Sequence, residues 1–173
     1  MGFGRFFSWV VAVGAAGFLA GCVSQARAGS GGSQGGAGPW PVAQVRVARP
    51  TDKLDEVVRF YRDGVGLPEI GSFSGHAGYD GVMLGLPDAS IHLEFTRHVD
   101  GSPGAAPSRD NLLVLYIPDR AERMRIAQRL ARMGYPEVEP ENPYWKGKSV
   151  TIADPDGYRV VLFDGTFGAR PAP

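Results

Sequence analysis

The sequence offers almost no thiol chemistry, few imidazoles and no run of one charge. Cys22 is the single cysteine among 173 residues, which excludes an internal disulfide framework and a zinc site built on thiolates. The three histidines are His76, His92 and His98, so the last third of the chain has no imidazole for a metal or a proton relay. Lys and Arg number 18 against 18 Asp and Glu, without a basic cluster. Neutralising a phosphate backbone requires such a cluster, and nucleic acid is excluded as a partner.

The charges that are present avoid the first part of the chain. Up to Val45 only Arg5 and Arg27 are charged, which leaves 18 − 2 = 16 basic against 18 acidic residues beyond it, a net −2. Arg5 supplies a short positive segment. Phe6 to Phe18 follows as an apolar stretch too short and too glycine-broken for a membrane span. It ends in Leu19-Ala20-Gly21-Cys22, small residues before a cysteine, and this order resembles the lipobox of bacterial lipoproteins. The resemblance implies that residues 1–21 are a removable signal peptide and that Cys22 carries the lipid. The protein is then membrane-anchored through its N-terminal lipid in the cell envelope and faces the periplasm. Val23 in place of an Asp points to the outer membrane in a cell that has one. Residues 22–41, rich in Gly, Ser, Ala and Gln, bury too little to order themselves and are expected to form a flexible tether.

Regular patterning begins near residue 42. Gln44 to Ala48 alternates as a strand, with Val45 and Val47 on one face and Arg46 on the other. Thr51 or Asp52 is placed to cap a helix carrying Leu54, Val57, Val58, Tyr61 and Val65, with Gly64 and Gly66 to stop it. Strands are expected at 69–73, 81–86 and 89–96, followed by a Gly/Pro/Ala linker. The order then repeats: a strand at Asn111 to Ile117, a helix capped by Asp119 with Glu122 at capping-box spacing, and strands near 137–138, 147–152 and 158–163. The chain is thus an α+β protein of two tandem βαβββ modules, about 42–97 and 110–165, with a linker at 98–109 and a flexible tail at 166–173. Pairing the open sheet faces would make a cup, and cups hold small molecules.

Leu54-Asp55, Phe60-Tyr61, Gly64-Val65-Gly66-Leu67 and Ile91-His92-Leu93-Glu94-Phe95 in the first module, with Ile117-Pro118-Asp119, Met133-Gly134-Tyr135 and Thr151 to Phe163 in the second, resemble the vicinal oxygen chelate superfamily. This is the glyoxalase, bleomycin-resistance and extradiol dioxygenase fold, a cup-shaped mixed sheet. Its active members bind one divalent metal. By motif, the four ligand positions fall on Arg46, Glu94, Leu112 (or Asn111) and Val161. Only Glu94 is a ligand type, and a guanidinium offers no lone pair. The expectation is therefore no cofactor. A divalent metal would have to rely on a rebuilt set of His76, His92 and Glu94. Asp154-Pro155-Asp156-Gly157 is the superfamily's last-hairpin motif, and turn chemistry alone accounts for it.

Arg46 and Glu94 are expected to pair inside the cup, with Arg46 receiving an anionic group of a small-molecule ligand. Further ligand-binding candidates are His92, Tyr116, Arg159 and the loop aromatics Tyr144 and Trp145. The resulting expectation is a metal-independent binding module of the bleomycin-resistance kind. The alternative is a glyoxalase-like lyase, isomerase or dioxygenase with a non-standard metal site or with Glu94 as general base. The resemblance also admits a homodimer, since its members pair modules within or between chains.

Overall fold

The computed structural model describes residues 42–86 and 90–168. Cys22, the signal peptide at 1–21, the tether at 22–41 and residues 169–173 of the tail lie outside the described residues.

In the first module β1 (Val45–Pro50) is followed by α1 (Leu54–Arg59), which runs on as a π-helical segment (Phe60–Val65), and then by β2 (Glu69–His76), β3 (Tyr79–Gly85) and β4 (Ile91–His98). The second module has β5 (Leu112–Tyr116), α2 (Arg120–Arg132), a 3₁₀ turn (Pro143–Trp145), β6 (Ser149–Ala153) and β7 (Arg159–Phe163). The sheets are mixed, in the orders β1-β4-β3-β2 and β5-β7-β6, and each module's first strand runs parallel to its last. The architecture is the α+β one expected, with one loss. The strand read at 137–138 is a single bridge between Glu137 and Ile152, so the second sheet has three strands.

Strand alternation assigns the faces. Leu93 and Phe95 of β4 point toward α1 and join Leu54, Val57, Val58 and Tyr61 in the core. In the second module Val160 and Leu162 of β7 and Ile152 of β6 meet Ile126 and Leu130 of α2. These residues form one cluster spanning both modules. The helices close on each other at Gly64, where a Cβ would stand 2.3 Å from Leu130 Cδ2. Arg129 Nε donates to the Gly64 carbonyl at 2.7 Å across the same contact.

The local signals have specific outcomes. Asp119 caps α2, its Oδ1 accepting from the Ala121 and Glu122 N–H groups, but Glu122 pairs with Arg125 rather than closing a capping box. Neither Thr51 nor Asp52 caps α1. Thr51 Oγ1 accepts from the Lys53 N–H in a local turn, while Asp52 accepts from the Ser102 N–H and pins the linker. Gly64 lies inside the helix, and Gly66, at φ 98°, ends it, donating to the Tyr61 carbonyl five residues back.

Asp154 does what a turn-forming Asp should, its Oδ1 accepting from the Asp156 and Tyr158 N–H groups at 2.9 Å. Its other oxygen reaches the first module. It accepts from Tyr61 Oη at 2.9 Å and from Arg49 Nη2 at 2.5 Å, within a side chain that is fully buried. Burial, with Asp154 beside it, pushes the Tyr61 hydroxyl far above its ordinary pKa. Among the described residues no helix is long and apolar enough to cross a membrane.

Candidate functional site

On the face of the first sheet opposite α1, strand register brings β1 and β4 residues into one cluster. Arg46 pairs with His92, and Ala48 with Glu94, so these side chains share a face. Arg46 Nε donates to His92 Nε2 at 2.9 Å, and Arg46 Nη1 lies 2.7 Å from Glu94 Oε2. Acceptance at Nε2 fixes the neutral imidazole with its proton on Nδ1, which is buried without a partner. His92 and Glu94 are buried, whereas the Arg46 side chain is 55% exposed. Arg46 is thus held at Nε and at Nη1 by buried groups, while its side chain stays open to solvent.

Strand pairing also locates the positions at which the resemblance places metal ligands. In the first module Arg46 pairs with His92, and Glu94 follows two residues on; in the second Leu112 pairs with Arg159, and Val161 follows two residues on. The four motif-mapped positions are therefore two quasi-equivalent pairs, Arg46 with Leu112 and Glu94 with Val161. A divalent ion would meet one carboxylate already paired to a fixed positive charge and two aliphatic side chains, so these residues do not fit the metal.

The substitute ligand set fails on distance. His76 sits beside Tyr79 at the tip of the β2–β3 hairpin, and Tyr79 pairs with His98 at the far end of β4 from His92. That is roughly 20 Å along the strand at about 3.3 Å per residue. Alternation shows which residues of one strand share a face, but it does not show where a separate hairpin ends. No group of three His, Cys, Asp or Glu among the described residues is close enough to hold a metal.

The other candidates gather on the second module. Tyr116, Tyr144 and Trp145 line a cavity of about 440 Å³ together with Phe163, Lys148 and Phe167. Tyr144 and Trp145 meet edge to face at 4.9 Å, Trp145 meets Phe163 at 5.7 Å, and Lys148 Nζ stands 4.1 Å over the Tyr144 ring. Asn142 holds the loop in place by accepting from the Tyr144 N–H at 2.9 Å. Thr166 to Gly168, read as tail, form part of this wall. Arg159 is not free for a ligand: it is buried and donates to the Glu139 carbonyl at 2.8 Å. Sequence reasoning missed Lys148 and Phe163, although Phe163 has the same strand parity as Arg159.

Comparison with known proteins agrees with this architecture. Models of the YycE-like N-terminal domain and the YycE-like C-terminal domain match residues 45–96 and 110–164. The chain is 55% identical to YycE of Bacillus subtilis (strain 168) over 122 residues, 70% of this chain and 88% of that protein. The crystal structure of B. subtilis YycE superposes with a TM-score of 0.69 at 53% identity, covering 73% of this chain and 94% of that one. The fosfomycin resistance protein FosX from Mesorhizobium loti (TM-score 0.56, 19% identity, 70% and 90% coverage) shares the fold. So does TnmS3, an antibiotic binding protein from Streptomyces sp. CB03234 (0.53, 22%, 73% and 99%).

Proposed function

We propose, for a chain that belongs to the YycE-like family and carries the vicinal oxygen chelate fold, that it binds a small anionic molecule through Arg46 without a metal ion. The ligand is held rather than converted. The reading rests on one observation: the guanidinium of Arg46 takes a place where the fold's active members carry a metal ligand, with His92 holding its Nε and Glu94 its Nη1. One hydrogen bond to a buried imidazole and an ion pair with a buried carboxylate hold the guanidinium, so a carboxylate, phosphonate or phosphate meets a donor whose geometry is already set. Glu94, the candidate general base, is already paired with that cation, which suits a positioning role better than proton abstraction.

An aromatic wall made by Tyr116, Tyr144 and Trp145 on the second module suits a planar ring. An anionic molecule at Arg46 or an aromatic one at this wall is the ligand class we favour. TnmS3 is named an antibiotic binding protein, and a binding role for this chain is consistent with the use of the same fold there.

Phenylphosphonate is a suitable probe. Titrated into the purified protein, it should bind to the wild type and about ten-fold or more weaker to Arg46→Ala, the loss of one charge-assisted hydrogen bond. Unchanged affinity in the variant, or stoichiometric zinc, nickel, manganese or iron in the purified wild type, would overturn the reading.

A further inference from the structure

We infer that a second binding site lies between the two modules, in the cavity bounded by the free edge of β1 and the start of β5, and that it takes a small, mostly apolar, uncharged molecule bearing one carbonyl or comparable acceptor. β1 and β5 are the edge strands of their sheets. Between them is a cavity of about 270 Å³ walled by Val47, Leu93 and Phe95 on one side and by Leu112 and Leu113 on the other. At about 30 Å³ per water-sized group it has room for roughly nine or ten non-hydrogen atoms.

Arg49 is the charged member of this lining, which also includes Asn111, Tyr61 and Tyr158. The Arg49 Nη2 is committed to Asp154 Oδ2 at 2.5 Å, its Nη1 reaches Tyr61 Oη at 3.5 Å, and its guanidinium lies 3.8 Å over the Tyr158 ring. Its Nε is buried and has no partner. A buried donor left unpaired is costly, and a ligand acceptor that reached it would remove that cost. The charge has its counter-ions already, Asp154 at 2.5 Å and Asp156 at 3.7 Å, so a neutral acceptor matches this site and a second anion does not. Tyr61, which shares the lining and the Asp154 carboxylate, is carried on the π-helical segment, a distortion that recurs at functional sites.

This site is separate from the Arg46 cluster, because alternation places Val47 and Arg49 on the opposite face of β1 from Arg46. Acetophenone, ethylbenzene and benzoate, three probes of nearly equal size, test the assignment in titrations of the whole chain followed by amide chemical shifts. Acetophenone should bind about ten-fold tighter than ethylbenzene, and benzoate no tighter than acetophenone. Val47→Trp and Leu113→Trp, which fill the cavity from opposite walls, should each weaken acetophenone by ten-fold or more. Val47→Trp, whose site is half exposed, should leave phenylphosphonate at Arg46 unchanged. Three results would overturn the inference: equal binding of acetophenone and ethylbenzene, acetophenone affinity that survives both tryptophans, or a fall in solution mass in the variants. The last would show that a second copy of the chain fills the cavity.

Discussion

Asp80 shows how much of a surface residue's behaviour is set by a turn. Its carboxylate accepts from Ser74 Oγ at 2.6 Å, from the Gly75 N–H at 3.0 Å and from Arg97 Nη2 at 3.0 Å, and these partners hold its pKa down to about 2. A folded value below the unfolded one, which is near 4, means that the charged form is favoured by folding. The stability so conferred is fully present above about pH 4 and lost as pH falls toward 2. Asp80→Asn should therefore melt below the wild type at pH 6, and the gap should close as thermal scans are taken from pH 4 to pH 2; a gap that persists at pH 2 contradicts this origin. Asp80 lies in β3, next to the β2–β3 turn, and its partners come from the register of that hairpin and of β4. The role of Arg49 was not legible in the sequence, because its partner Asp154 lies 105 residues away in a turn that local chemistry already explains. The Arg46–Glu94 pair could be read in advance, since both residues fall at mapped positions of one face. His92 as the acceptor of Arg46 depends on the register between two strands, which neither strand encodes by itself.

At the scale of elements, the contact between the helices depends on one missing methyl group. Gly64 lies where a Cβ would press on Leu130 Cδ2 at 2.3 Å and on Met133 Sδ at 3.4 Å, and Leu130 is fully buried. Gly64→Ala should lose about 1–3 kcal/mol in urea unfolding through overpacking. The same change made in a Leu130→Ala background should cost much less, because the space is then open; equal costs in the two backgrounds would place the strain elsewhere. Two glycines close together read as two stop signals, and the sequence does not distinguish the one that ends a helix by its positive φ from the one that lets another helix approach. Strand positions were easier, since Val, Ile and Leu alternate or run in short blocks between Gly, Pro and Asp. The segment at 137–138 was overread because the three residues between Pro136 and Pro140 cannot sustain a ladder; it retains one bridge.

For the molecule as a whole, the family models and the described core both begin beyond residue 41. Leu19-Ala20-Gly21-Cys22 supports our proposal that the domain is held at a membrane by lipid on Cys22. Cells given labelled palmitate should mark the wild type and not Cys22→Ser, and the variant should move to the soluble fraction; label retained by the variant would remove the anchor from the proposal.

The repeated strand pairing has a consequence for descent. Because Leu112 corresponds to Arg46 and Val161 to Glu94, the halves can be compared position by position, like two edited copies of one text. What they share, a parallel first and last strand over an apolar helix, is the grammar of the fold. At these corresponding positions one half carries ionic side chains and the other aliphatic ones. Relatives can be sorted by that asymmetry alone, since a chain with matching polar residues in both copies is a different kind of protein from this one, however similar the backbones.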